Sequence, residues 1–280
     1  MRGDPQARTN RLCERRQALR DVQRWAPVFG ADVLEDPSGY DLIAIDGLPA
    51  AAGDDRAARA RLASARAAGA LVLSYISVGT VEGWRTYAPE VPRSWTLGRV
   101  SGWPKERYVD AREPGWQEIM AREAAALAGT GFDGLYLDNL DVGEEYPKTQ
   151  PGLVELVDGL RAAAPDLLLV AQNGLAVVDR LAVDAIAHED TWWRWDDGYR
   201  RSPAQETAEI LAGLRRQRER GLPVLTLDYT DPGAPAAEET VARSLREGFR
   251  PAVSVLNLDR LPHAPARDPG QGGGGRGRSS

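Results

Sequence analysis

With 280 residues, 42% hydrophobic and 27% charged, the chain has the composition of a globular protein that buries one sizeable core, as one α/β barrel or two smaller domains. A net charge of −6 argues against nucleic acid as the main partner and suits a neutral or cationic one. The one cysteine, Cys13, excludes a disulfide framework within the chain, and no stretch approaches the length of a membrane-spanning helix, so no membrane insertion is expected.

Residues 1–10 read as a loose leader. Leu12 to Trp25 follows as an amphipathic helix with Leu12, Leu19 and Val22 on one face. Seven arginines against three acids in residues 1–25 read as a solvated helix face, because no aromatic residues interleave them. This region lacks the apolar core of a signal peptide. Residues 1–24 are taken as a leader and helix, 25–262 as the main domain, and 263–280 as a tail.

From there, apolar runs of strand length alternate with Ala-, Arg- and Glu-rich helical stretches. The runs are Asp41–Asp46, Leu71–Gly79, Arg107–Asp110, Asp133–Asp138, Leu167–Asn173, Asp184–Glu189, Pro223–Tyr229 and Ala252–Asp259. The helical stretches lie near 54–68, 114–128, 151–164, 203–220 and 235–247. The stretch 203–220 carries punctuation: Ser202 as N-cap, Pro203 at the first position, Gln205 completing a capping box, and Gly221 after the end. Continuous apolar strands between helices imply a parallel sheet covered on both faces. Eight such units point to a single α/β domain, a (β/α)₈ TIM barrel. Val81–Pro104, rich in Trp, Pro and Gly, reads as a long loop on its active side. The Gly-rich tail after Pro262 cannot bury apolar surface and is expected to be disordered.

Polar groups gather where these strands end, at the rim that carries chemistry in such barrels. They are Asp46, Ser77, Asp110, Asp138, Gln172 with Asn173, Glu189, Asp228, and Asn257 with Asp259. Strand alternation selects among them. Gly134, Tyr136 and Asp138 share one face, opposite Leu135 and Leu137. Ala185, Ala187 and Glu189 share another, opposite Ile186 and His188. The same reasoning aims Asp46, with Ala44, and Asp228, with Thr226, into the mouth. Four carboxylates then converge. Burial and mutual repulsion raise the pKa of some members of such a set, as a general acid requires, while an ionised partner attacks or stabilises charge. Two carboxylates with split roles are the usual equipment for glycosidic bond cleavage. Trp192, Trp193 and Trp195 after Glu189, and Trp84, Trp95 and Trp103 in the long loop, offer faces for sugar rings.

Three stretches carry a resemblance to a known family. They are Tyr75-Ile-Ser-Val-Gly-Thr-Val-Glu82-Gly-Trp84-Arg85, Trp103-Pro-Lys-Glu-Arg-Tyr-Val-Asp110, and Gly131-Phe-Asp-Gly-Leu-Tyr-Leu-Asp138-Asn-Leu-Asp141. With Gln172-Asn173 and the Glu189 segment, they make residues 25–262 resemble glycoside hydrolase family 114, the endo-α-1,4-polygalactosaminidase-like proteins. The resemblance implies a TIM-barrel retaining glycosidase acting on α-linked galactosamine-rich polymers, usually secreted. It implies an Asp at the end of strand four as nucleophile and a Glu at the end of strand six as acid/base, positions held by Asp138 and Glu189. Asp46, Tyr75, Ser77, Glu82, Arg85, Asp110, Asn139, Asp141, Gln172, Asn173, Trp192, Asp228 and Tyr229 are expected to contact a polysaccharide or oligosaccharide, a cationic aminosugar among the candidates. No metal or cofactor is expected. Two other readings stand beside this one: an inactive barrel that binds carbohydrate, and a metal-dependent hydrolase using His188, Glu189, Asp190 and the aspartates.

Overall fold

The computed structural model describes residues 5–30, 34–47, 55–231 and 233–262, so the expected disordered tail, 263–280, lies outside the described residues. Eight strands form one sheet, in the order β1 (Trp25–Val28), β2 (Leu42–Asp46), β3 (Leu71–Ser77), β7 (Gly134–Asp138), β8 (Leu168–Gln172), β9 (Ala185–Glu189), β12 (Val224–Tyr229) and β13 (Arg250–Ser254). All seven pairings are parallel. The last strand returns to the first: Trp25 Nε1 donates to the carbonyl of Arg250 at 2.8 Å, and Gly30 N donates to the carbonyl of Leu258 at 3.0 Å. The (β/α)₈ barrel expected from the sequence is the fold.

Around the strands run α2 (Asp55–Ala67), α3 (Pro114–Ala128), α4 (Val142–Glu145), α5 (Gln150–Ala163), α6 (Ala204–Glu219) and α7 (Pro235–Arg246). Both strand faces are apolar because both are covered. Leu42, Leu73, Leu168, Val170 and Leu225 fill the interior. Ile43, Val72, Leu135, Leu137 and Ile186 pack outward in the helix layer. Gly134 is required where β7 squeezes between its neighbours. A Cβ there would lie 2.6 Å from Leu168 Cβ and 2.7 Å from Leu73 Cδ2.

Residues 5–10 of the expected leader are instead part of a helix, and residues 1–4 lie outside the described residues. The first helix, α1, runs Pro5–Arg20 and buries Leu19 in the interior core, beside Val22 and Trp25. Its arginines hold the base of the barrel. Arg15 pairs with Asp133 at 3.2 Å, Arg11 with Asp166 at 3.0 Å and Arg16 with Asp184 at 2.7 Å, and those aspartates stand just before β7, β8 and β9. Arg11, Arg15 and Arg16 of the basic run are thus engaged in ion pairs, while Arg11 and Arg20 remain exposed.

Two strand assignments differ from expectation. Trp25–Val28 is a barrel strand that the sequence reading did not include. Arg107–Asp110 is not one: it belongs to β6 (Trp103–Val109), which pairs antiparallel with β4 (Thr80–Glu82) and β5 (Thr96–Val100). What reads as a long loop over 81–104 contributes β5 and the ends of β4 and β6 to this three-stranded sheet. The two differences offset each other in the count, so Asp138 remains on the fourth barrel strand and Glu189 on the sixth. A hairpin of β10 (Trp193–Trp195) and β11 (Tyr199–Arg201) follows β9. At α6 the expected capping box does not form. The cap residue is Pro203, with no side-chain bond, and the Ser202 hydroxyl donates to the carbonyl of Asp190 at 2.7 Å. Gly221 does end the helix in a left-handed conformation, φ 87°.

Candidate active site

Asp138 and Glu189 both face the barrel interior, above Tyr136 on β7 and Ala187 on β9. Their relative height follows from register. Leu137 is level with Ala171, and Gln172 with Ala187, so Glu189 stands one inward-facing position above the layer of Asp138. The two strands flank β8, about 4.8 Å from each, close enough for the Glu189 charge to act on the Asp138 carboxyl.

The residues that follow these strands turn the chain sharply. Asn139, Asn173 and Asp190 have φ of 62°, 59° and 59°, a left-handed conformation that Asn and Asp tolerate better than other non-glycine residues. Asn139 and Asn173 each put a polar group back over the mouth. Asn139 Nδ2 donates to Asp138 Oδ2 at 3.1 Å. Asn173 Nδ2 donates to Glu189 Oε1 at 3.1 Å, and Asn173 Oδ1 accepts from the Glu189 amide at 3.1 Å. Tyr229 donates its hydroxyl hydrogen to Glu189 Oε2 at 2.5 Å. Both oxygens of Glu189 are thus held. Beneath them Tyr136 donates to Gln172 Oε1, and Phe29 packs on Tyr75 and Tyr136 with ring centroids 4.7 and 5.7 Å apart.

A second set of charges lies on the side of the small sheet. Arg85 donates to Glu82 Oε2 at 2.6 Å and to Asp46 Oδ1 at 2.9 Å and sits over the ring of Tyr75. Arg85, Glu82 and Ser77 are buried; they support Tyr75 and the β3–β4 turn rather than offering a surface to ligand. Gly79 lets this turn close on β7, since a Cβ there would fall 1.8 Å from the carbonyl oxygen of Asn139.

Three expected ligands are turned away from the mouth. On β12 the inward side chains are Leu225, Leu227 and Tyr229, so Asp228 and Thr226 face outward, opposite to expectation. Thr226 Oγ1 bonds Ser244 on α7 at 2.9 Å. Asp228 Oδ1 accepts from the amides of Trp192 and Trp193 at 2.6 and 2.9 Å, which anchors the β10–β11 hairpin. Trp192 itself packs outward, with Nε1 on Ser244 Oγ at 2.9 Å and Arg243 over its ring. Asp110, on the small sheet's exit, accepts from Arg112 Nη2 at 2.6 Å and Thr149 Oγ1 at 3.2 Å and fixes the turn into α3. His188 also faces away from the interior, its Nδ1 2.6 Å from the carbonyl of Glu189. Among the described residues no three His, Cys, Asp or Glu side chains converge as a metal-ligand set.

Asp190, which the metal-dependent reading included, neighbours Glu189 but also Asp228, Arg194 and Glu206, on the hairpin side. Conversely, strand-end reading missed Glu106 on β6, whose polar neighbour Thr80 starts β4. Tyr199 packs against the interior cluster, and Trp195 stands edge-on to it at 4.9 Å, 44% exposed. The only signal for Tyr199 was the alternation of aromatic residues in 193–199.

Negative charge accumulates without enough cations. The Asp138 carboxyl is pushed well above the usual carboxylate range, first by burial, then by the charges of Glu189 and Asp141. Burial and Glu189 raise Asp141 to about 7 and Asp190 to about 8. Burial raises Asp228 to about 7 against the lowering effect of its two amide donors. Asp141 Oδ1 is buried and has no hydrogen-bond partner among the described residues. Each of these carboxyls binds protons more tightly folded than unfolded. Between about pH 4 and 7 the folded chain keeps protons that the unfolded chain has released, so stability falls as pH rises through that window. In calorimetry at constant ionic strength the thermal midpoint is expected to drop by roughly 5 °C between pH 5 and pH 8; a midpoint that climbs across this range contradicts the clustering.

Comparison with known proteins follows the same lines. The model of glycoside-hydrolase family GH114 matches residues 6–268. An uncharacterised protein of Deinococcus radiodurans is 27% identical over 277 residues, covering 88% of this chain and 85% of its own. Among solved structures, the glycoside hydrolase domain of PelA from Pseudomonas aeruginosa superposes with a TM-score of 0.70 at 24% identity, covering 85% of this chain and 96% of that domain. Aspergillus fumigatus Ega3, solved as a complex with galactosamine, gives 0.67 at 18% identity, covering 85% and 92%.

Proposed function

The chain belongs to glycoside-hydrolase family GH114 and is a glycoside hydrolase, and we propose that it is a retaining endo-glycosidase acting on α-linked galactosamine-rich polysaccharide. The observation that carries the substrate class is the acidic mouth: Asp138, Asp141 and Glu189 crowd together, and the nearby Arg85 is already engaged by Glu82 and Asp46. An ammonium group supplies the missing cation. Asp141, with a buried oxygen lacking a partner and Tyr108 and Tyr146 beside it (ring centroids 5.5 Å apart), is the acceptor best suited to it. That Ega3 was solved with galactosamine agrees with this reading.

In the proposed reaction the proton that Asp138 loses when substrate binds passes to Glu189, and Asp138 attacks the anomeric carbon while Glu189 gives that proton to the leaving oxygen. Glu189 then takes a proton from water as the glycosyl–Asp138 ester is hydrolysed. Asn139 and Tyr75 hold the attacking carboxyl; Asn173 and Tyr229 hold Glu189. An ammonium bound at Asp141 lowers the Asp138 pKa, so substrate itself ionises the nucleophile. The test is release of soluble oligosaccharide from α-1,4-linked galactosamine polymer, compared with galactose and glucosamine polymers. Preference for the galactosamine polymer is expected, and no release from any of them contradicts the proposal.

Trp195 lies on the mouth-facing side of the β10–β11 hairpin, since its neighbour across the ladder, Tyr199, packs on the interior core. Its ring is placed to stack on a sugar beyond the cleavage point. Trp195→Ala is expected to raise KM for polymer by about tenfold, the scale of one lost aromatic contact of about 1–1.5 kcal/mol, with kcat on short oligomers unchanged. Equal KM for both proteins on polymer contradicts the assignment.

A further inference from the structure

A line of buried hydrogen bonds joins Asp138 to the small sheet. Asn139 Nδ2, besides its bond to Asp138, donates to Ser77 Oγ at 2.9 Å. Ser77 Oγ and Thr80 Oγ1 are 2.6 Å apart, and Ser77 Oγ also accepts from the Thr80 amide at 3.2 Å. Thr80 Oγ1 donates to Glu106 Oε2 at 3.3 Å. Ser77 and Thr80 are fully buried and Glu106 nearly so, so solvent does not compete for these groups.

Counting hydrogens gives the line a direction. Thr80 has one hydroxyl hydrogen, and Glu106, an acceptor at Oε2, takes it. The Ser77 hydroxyl must then give its hydrogen to Thr80, which leaves Ser77 as acceptor towards Asn139. Both hydrogens of the Asn139 amide are thereby assigned, one to Asp138 and one to Ser77, with Thr80 Oγ1 a more distant acceptor beside Ser77 at 3.4 Å. Without an acceptor at position 106 the order can reverse. Thr80 then donates to Ser77, Ser77 donates to Asn139, and the amide turns its oxygen towards an acidic side chain that needs a donor. We propose that Glu106 is a positioning residue for catalysis, which orients the Asn139 amide, through Thr80 and Ser77, to donate to the attacking carboxyl of Asp138.

The surroundings of Glu106 fit this use. It stands directly across the ladder from Glu82, whose charge is matched by Arg85, with Tyr75 and Tyr108 nearby. Burial and the Glu82 charge raise the Glu106 carboxyl to about 7. Protonation at Oε1 leaves Oε2 an acceptor, so the direction of the line holds in both charge states. A buried carboxyl facing another buried carboxyl is costly, and packing alone gives no reason to place one here.

The kinetic consequence rests on the reading of Asp138 as nucleophile, but the Asn139 orientation can be measured without substrate. Glu106→Leu, Glu106→Gln and Thr80→Val are compared with wild type by kinetics on galactosamine polymer and by the side-chain ¹⁵N–¹H resonances of Asn139. Glu106→Leu is expected to shift those resonances, speed their exchange, and lower kcat by about 10- to 100-fold at unchanged KM, the scale of a misplaced reacting group. Thr80→Val, which cuts the line without touching Glu106, is expected to do the same and decides the matter should the leucine variant fail to fold. Glu106→Gln keeps an acceptor oxygen and is expected to keep the resonances and most of kcat. Unchanged Asn139 resonances in both Glu106→Leu and Thr80→Val overturn the proposal, as does a Gln variant as impaired as the Leu variant. Should the wild type not cleave the polymer, the resonances still decide the role of Glu106 while the proposed function fails separately.

Discussion

Asp138→Asn is expected to lower kcat by about 10³-fold or more, because it removes the group that forms the covalent bond and leaves only binding and electrostatic contributions. The same change is expected to leave the protein at least as stable. Asn fills the same space and can still meet Asn139 and Tyr75. In addition, the carboxyl it replaces is held above its ordinary range by burial and by Glu189, so its charged form opposes folding. The midpoint difference between variant and wild type should therefore widen as pH rises, since the wild type loses stability through that range and the variant has one fewer group to ionise. An inactive protein that melts higher is the pattern of a strained active site. A variant with near-normal turnover removes Asp138 from the role assigned to it.

Glu189→Ala has the second largest expected effect, and its form separates the two carboxylates. Loss of the acid/base lowers kcat on natural polymer by about 10²- to 10⁴-fold. With a substrate whose leaving group departs without protonation, the first step survives and the second does not. A burst of leaving group followed by slow turnover is then expected, and a small anionic nucleophile such as azide should restore turnover by replacing the activated water. Asp138→Asn gives neither burst nor rescue. Glu189 charge also raises the carboxyls of Asp138, Asp141, Asp190 and Asp228, so its removal should lower all four. Loss of activity with no burst on an activated substrate contradicts the acid/base role.

How far these residues could be read in advance depended on what each strand face packs against. On β7 and β9, small or aromatic residues lie inward and Leu or Ile outward, so alternation aimed Asp138 and Glu189 correctly. On β12 the same rule failed, because leucines fill the interior there and a polar pair, Thr226 with Ser244, lies beneath the helix. Where both faces of a strand are buried, alternation groups residues by face without saying which face is inside. Trp25–Val28 was hidden by its four-residue length and by Pro27, which counts against a strand inside a sheet; here it pairs with Ala44 beside the barrel's closing seam. Arg107–Asp110 read as a barrel strand because its apolar end resembles one, and only long-range pairing with Thr80–Glu82 identifies it as part of an inserted sheet. Glu106 was passed over for the same reason: its partner Thr80 is 26 residues away in sequence, and nothing local in Lys105-Glu106-Arg107 distinguishes it from a surface charge.

The central claim, a double displacement through Asp138 and Glu189 on an α-linked galactosamine polymer, is tested most directly by the configuration of the first product. Fresh digestion followed by ¹H NMR should show the new reducing end appearing as the α-anomer and only later equilibrating with β. First appearance of the β-anomer means a single displacement by water and contradicts the nucleophilic role of Asp138, and absence of any new reducing end contradicts the assignment of this polymer as substrate.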